Sequence, residues 1–325
     1  MDERPRRIGL VLGGGGSTGG AFHAGVLSAL QAETGWDPRT ATVMVGTSAG
    51  SIAATSLRAG LSAADLLARA EDRPLSPDGS RLMRNVGSPP RTPPLRAAAR
   101  VSRPADIAAV LTQFATRPFA APPWALLASL IPEGQVSTAM ISDTVAGLFP
   151  HDWPRQPLWL CAVRQADGRR FAFGKHEPRP PLPDAVAASC AIPGFFRPVT
   201  IGGEAFVDGG VHSPTNADVL VGEDLDLVIV SSPMSMTGQR VPASVGSAMR
   251  RWSGALLDAE VLRLRRRGVP VVAFQPTAQD VDVMGPNAMD PTRRGPVARQ
   301  IHESTLRRLA RADTRSRLSV LGETA

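Results

Sequence analysis

The chain has 325 residues, enough to bury one large α/β core or a core with a sizeable insertion. Its formal net charge is +7, carried almost wholly by arginine because Lys175 is the only lysine, and tyrosine is absent. Two cysteines, Cys161 and Cys190, exclude a disulfide scaffold and suggest no metal spacing. No apolar stretch approaches the length of a membrane-spanning helix, and the "RPRR" start precedes too short an apolar run for a signal peptide. A cytoplasmic protein, at most peripherally bound to a membrane, is the expectation.

In chain order, Ile8 to Leu12 reads as a fully buried strand, Gly13 to Gly16 as a loop, and Gly19 to Ala32 as a helix with Phe22, Val26, Leu27 and Leu30 on one face. The theme then repeats. Thr42 to Val45 is a second strand, Gly46 to Gly50 a turn, and Ser51 to Ala59 a helix stopped by Gly60. From about Glu71 to Gln135 the pattern dissolves into "RPLSPDGS", "SPPRTPPLR" and "RPFAAPPW", with short helices expected at Ala105 to Ala115 and Trp124 to Ile131. This segment reads as an insertion or lid within a single domain spanning 1–325. Strands follow near Leu158 to Val163, Arg170 to Phe173, Ala205 to Val207, Leu225 to Val230 and Val271 to Phe274, with helices near Ser244 to Arg266 and Pro296 to Arg311. Alternation of this kind predicts an α/β fold with a mostly parallel sheet between helical layers.

Three segments carry chemistry. In "GTSAG" the glycines Gly46 and Gly50 flank Ser48 between a strand and a helix of small residues, the pattern of a nucleophile elbow. In "GLVLGGGGSTGG" the run Gly13, Gly14, Gly15 and Gly16 offers backbone N–H groups to a developing oxyanion. The same run, through Gly14, Gly16 and Gly19, also fits a dinucleotide fingerprint, although the second strand ends without the acidic residue a ribose needs. A non-hydrolytic nucleotide- or phosphate-binding protein is therefore the alternative. In "FVDGGVHSPTNADVL" Asp208 ends a strand before Gly209 and Gly210, where burial would raise its affinity for a proton. Of the five histidines, His23, His151, His176, His212 and His302, only His212 and His302 follow Asp208, as a Ser…Asp…His order would require.

Together these segments resemble the patatin-like phospholipase family: the glycine run as oxyanion loop, Ser48 as the G-x-S-x-G serine and Asp208 as the D-G-G acid. "ASCAIPGFFRPV", Ala188 to Val199, is similar to the family's segment before its D-G-G strand. The resemblance implies a Ser48–Asp208 dyad that needs no histidine, metal or organic cofactor. It further implies hydrolysis of acyl lipids through an acyl-enzyme; no nucleic-acid partner is expected. One departure is Thr18, where the family often carries a basic residue. Residues Trp124, Leu126, Leu127, Leu130 and Ile131, beside Arg96, Arg100, Arg103 and Arg117, suit contact with an anionic bilayer. The oligomeric state is left open.

Overall fold

The computed structural model describes residues 6–84, 86, 134–149, 153–236 and 245–322. Four parallel strands and their flanking partners form the centre: β1 (Ile8–Leu12), β2 (Val43–Thr47), β7 (Leu227–Ser231) and β8 (Val271–Phe274). β1 lies between β2 and β7, and β8 lies beyond β7. β3 (Leu158–Arg164) extends the parallel set past β2. Three further strands are antiparallel additions: β4 (Arg170–Phe173) and β6 (Glu204–Asp208) both pair with β3, and β5 (Val199–Ile201) pairs with β6.

Every residue of β1, β2 and β7 is buried, as expected for strands covered on both faces. Alternate side chains divide between two cores. Leu10, Leu12, Met44, Leu160 and Ile229 face one side, where α1 (Gly16–Thr34), α2 (Ala49–Ala59), α3 (Ala63–Ala70) and the later helix Arg294–Leu309 pack. Val11, Val45, Cys161, Val228 and Val230 face the other, beneath Leu257, Val261 and Leu264 of the helix Val245–Arg266. The result is the expected three-layer α/β/α architecture around a mostly parallel sheet.

Several expectations need adjustment. The segment "LSPDGS" is not loop. Ser76 accepts a hydrogen bond from the Gly79 N–H at 3.0 Å and caps α4 (Pro77–Met83), with Pro77 in its first turn. Serine, proline and aspartate in that order are a helix start as much as a turn. Asp65 binds this cap, accepting from the Ser76 N–H at 2.8 Å, so the chain from Glu71 to Arg84 is joined to the main body. Further helices arise where none was expected: α5 (Ala139–Leu148), α6 (Leu182–Ser189), and Ala278–Met284, which carries a Thr277/Asp280 capping box. The expected helices at 105–115 and 124–131, with the aromatic, aliphatic and arginine residues assigned to membrane contact, lie outside the described residues.

The register around β3 decides where the site forms. Cys161 pairs with both Thr47 and Ala172, and Ala162 with both Phe171 and Asp208. A strand has two edges, so β4 occupies one while β2 and β6 follow each other along the other. The carbonyl of Pro157 accepts from the Met44 N–H, and the Gln165 N–H donates to Ala205, both on that shared edge. β2 runs up to Thr47 and β6 runs down to Asp208. They stop facing each other at the level of Cys161 and Ala162.

Candidate active site

Ser48 follows β2 immediately and precedes the first residue of α2. Its backbone is at φ 52°, ψ −121°, a region costly for a residue with a side chain. The turn is that sharp because backbone crowds it: a Cβ on Gly46 would lie 2.6 Å from Ser51 Cα, and one on Gly50 would collide with the Leu12 carbonyl. Three groups brace the turn. The Ser48 N–H donates to Ser189 Oγ at 3.1 Å, and its carbonyl accepts from Ser51 Oγ at 2.6 Å and from Cys190 Sγ at 3.3 Å. Although Ser48 occupies the N-cap position, its hydroxyl makes no cap bond.

That hydroxyl lies instead beside the Asp208 carboxyl. Burial pushes the Asp208 carboxyl up to about 6, against hydrogen bonds from the Ser48 hydroxyl and the Gly210 N–H that pull it down. The Gly210 bond is 2.7 Å long. Both side chains belong to buried residues. Ser189 ties them further, since its hydroxyl donates to the Cys161 carbonyl at 2.7 Å on the β3 edge between the two strand ends.

The glycine loop is clamped between β7 and the segment after Asp208. Gly13 donates to the Ser231 carbonyl at 3.0 Å and Gly14 to the Pro214 carbonyl at 2.7 Å. These bonds narrow the sequence expectation, because two of the four glycine N–H groups are already engaged. The loop's remaining N–H groups are those of Gly15, the N-cap of α1, and Gly16, in its first turn. First-turn donors have no partner within a helix and suit an anion.

His23 closes the same clamp. Its Nε2–H donates to the Gly13 carbonyl at 2.7 Å, which fixes Nδ1 as acceptor of the Ser231 hydroxyl at 2.8 Å. Burial pushes this imidazole down to about 4, partly offset by the Gly13 bond, so it is neutral near pH 7. His212 is also pushed down to about 4, by burial first and then by the Arg170 guanidinium. The segment after Asp208 is held by Asn216, whose Nδ2 donates to Thr47 Oγ1 at 3.1 Å, and by Glu260, which accepts from Thr215 Oγ1 at 2.6 Å and from the Ala217 N–H at 2.9 Å. Burial raises the Glu260 carboxyl.

A family model for patatin-like phospholipases matches residues 10–221, which contain the loop, the elbow and the D-G-G strand in that order. The chain belongs to the patatin-like phospholipase family. Among solved structures, this patatin-like chain is similar to the type III effector protein ExoU at 16% identity and a TM-score of 0.40, covering 96% of this chain and 53% of that one. It is also similar to human GIVD cytosolic phospholipase A2 in complex with methyl γ-linolenyl fluorophosphonate, at 13% identity and a TM-score of 0.38, covering 98% and 60%. The chain thus spans between about half and three-fifths of the length of these structures. No curated protein sequence matches it.

Ser48 opens into a cavity of about 490 Å³, within the size range of small-molecule sites. Ala21, Ile52, Leu66, Ile141, Phe196 and Met289 give it a largely apolar wall, to which Gly16 and Cys190 also contribute. Among the described residues, no group of three or more His, Cys, Asp or Glu side chains is placed to hold a metal ion. Among them, too, no helix is long and apolar enough to cross a membrane.

Sequence reasoning brought Ser48 and Asp208 forward but missed their braces. Ser189 lies inside the family-like segment Ala188 to Val199, so a signal for it existed. His23 and Glu260 sit on helices with no local motif. Only the tertiary fold connects them to the glycine loop and to the segment after Asp208.

Proposed function

We propose that this protein hydrolyses acyl esters of lipids, with Ser48 as nucleophile, Asp208 as base and the glycine loop as oxyanion hole. The observation that supports the reading is the end-to-end meeting of β2 and β6, which brings Asp208 to the end of the strand that leads into the strained elbow at Ser48.

In the first half-reaction Ser48 Oγ attacks the ester carbonyl while its proton passes to Asp208. The carbonyl oxygen, now negative, is held by the N–H groups of Gly15 and Gly16 and by the positive end of α1. Collapse of this tetrahedral intermediate breaks the bond to the alcohol, and Asp208 returns the proton to that leaving oxygen. Water then attacks the acyl-serine, giving its proton to Asp208, and the fatty acid departs as Ser48 recovers its hydrogen. A carboxyl held near 6 is largely ionised at pH 7 and still basic enough for this traffic.

The apolar cavity beside Ser48 supports an acyl chain as the occupant. The phosphate-cradle alternative is weakened by the Gly13 and Gly14 N–H groups, both already bonded within the protein. Peripheral contact with an anionic bilayer through the segment 71–135, as a lid of the same domain, belongs to this proposal. The test is to incubate the purified protein with a mixed lipid extract and record by mass spectrometry which species lose a fatty acid. Loss from acyl lipids that stops in Ser48→Ala is expected, and an unchanged lipid profile overturns the reading.

A further inference from the structure

The wall of the cavity is largely apolar; besides the hydroxyls of Ser17, Ser48 and Ser56, the charged side chains that line it are those of Arg69, Arg294 and Asp72. Arg69 comes from the last turn of α3 and Arg294 from the first residue of its helix, and both line the space into which Ser48 opens. Arg294 Nη2 donates to the Arg69 backbone carbonyl at 2.7 Å, and the Arg294 charge is felt by the Arg69 guanidinium on the same cavity wall. Among the described residues the Arg69 guanidinium has no acceptor. Its proton affinity is lowered by burial first and by the Arg294 charge second. The carboxylate that joins them on the cavity wall is Asp72, 4.0 Å from Arg294 and with a side chain 90% exposed. Two positive charges therefore meet a single, well-solvated negative one. Nearby Glu71 pairs elsewhere, with Arg73 and with Arg299.

Like charges kept together at an apolar wall are costly unless an anion joins them. A guanidinium fork suits a planar or tetrahedral oxyanion because it can donate two parallel hydrogen bonds. We propose that Arg69 and Arg294 form an anion-binding subsite that holds the charged oxygens of an amphiphile, a phosphate or a carboxylate, while its hydrocarbon chain lies along the apolar wall. The inference deepens the acyl-lipid reading above and rests on it for the identity of the chain. The pair also places positive charge in the cavity of a protein that carries Thr18, in the first turn of α1, where a basic residue is common in the family.

The test is calorimetric binding of three eight-carbon probes, octyl phosphate, octanoate and octanol, to the full chain and to its Ser48→Ala variant. None of the probes carries an ester, so the result does not depend on turnover. The parent should bind at least one of the anions about tenfold or more tightly than octanol, a preference worth about 1.4 kcal/mol. Arg69→Gln should remove most of that preference, and so should 0.5 M salt, while Asp72→Asn should enhance it. Preference for octyl phosphate alone identifies a phosphate-bearing lipid as the source, preference for octanoate alone a released fatty acid, and preference for both a general oxyanion site. Equal binding of all three probes by the parent, or a preference that survives in the folded Arg69→Gln protein, overturns the subsite. Arg69→Gln keeps the backbone carbonyl that Arg294 binds, so it tests the subsite without removing that contact. Anion preference without lipid hydrolysis would keep the subsite and remove the catalytic reading. The reverse result would do the opposite.

Discussion

Ser48, one residue past the end of β2, and Asp208, the last residue of β6, are delivered by strands of opposite direction that meet end to end along one edge of β3, Thr47 opposite Cys161 and Asp208 opposite Ala162. Simple parallel strands would have placed both residues at a common sheet edge several strands apart. Here the antiparallel return of β6 closes the distance. Three residues of pairing, Arg164 to Ala162, are enough to aim the carboxylate.

If Ser48 carries the acyl group, a fluorophosphonate should label it, and Ser48→Ala should abolish labelling. Turnover of a soluble short-chain ester should fall by about a thousandfold or more. Peptide mapping of the labelled protein checks the position, and labelling elsewhere would exclude Ser48.

Asp208→Asn keeps the acceptor for the Gly210 N–H but removes the basic oxygen. Turnover should drop by at least about a hundredfold, the lower range of general-base effects. His212→Ala should keep activity within about tenfold, or roughly 1.4 kcal/mol of barrier. A loss in His212→Ala as deep as in Asp208→Asn would move the base to the imidazole.

Activity should depend on pH through a single carboxylate. As base, Asp208 must be ionised, so kcat/KM should rise through about pH 6 and level off above it. Although this lies close to the ordinary imidazole range of about 6.5, both His23 and His212 are pushed down to about 4 and are neutral across that step. The step should therefore survive in His212→Ala. Its disappearance there would refute the assignment.

Stability should move in the opposite sense to activity. The Asp208 carboxyl titrates near 6 in the fold and near 3.9 unfolded, so folding favours its protonated form. The penalty is absent below about pH 4, grows between 4 and 6, and stays constant above, at about 3 kcal/mol. Urea titrations should show Asp208→Asn more stable than the parent at pH 8 and not at pH 4.

Bracing residues should lose stability and turnover together. Ser189→Ala removes the acceptor of the Ser48 N–H and a donor to Cys161, at a cost of about 1–3 kcal/mol. Gly46→Ala forces a Cβ to 2.6 Å from Ser51 Cα and should cost about 1–3 kcal/mol. Paired urea unfolding and esterase measurements check both. Unchanged turnover in a destabilised Ser189→Ala would show that the brace serves only the fold.

The sequence was legible where one local rule sufficed. β4 and β8 run over the residues expected, Arg170–Phe173 and Val271–Phe274, because short apolar runs between breakers have few alternatives. The helix after the elbow begins at Ala49 rather than Ser51, and α1 at Gly16 rather than Gly19, since small residues hide where a turn tightens into a helix. Ser48 and Asp208 stood out because their neighbours are glycines with a steric purpose. Their meeting was implied only by the family resemblance and by no local rule, for it depends on the register of β6 against β3. The clamp of His23 on Gly13 was equally hidden, since a buried histidine on a helix carries no mark of the loop it will hold.

The bond from Gly13 to Ser231 has a consequence for modularity. The family match ends at residue 221, yet Ser231 and Glu260 are contributed by chain beyond it, as are Met289 and Arg294 of the cavity. The recognisable segment is therefore not a detachable catalytic cassette. Transplanted alone into another protein, it would carry Ser48 and Asp208 but leave the glycine loop without its scaffold.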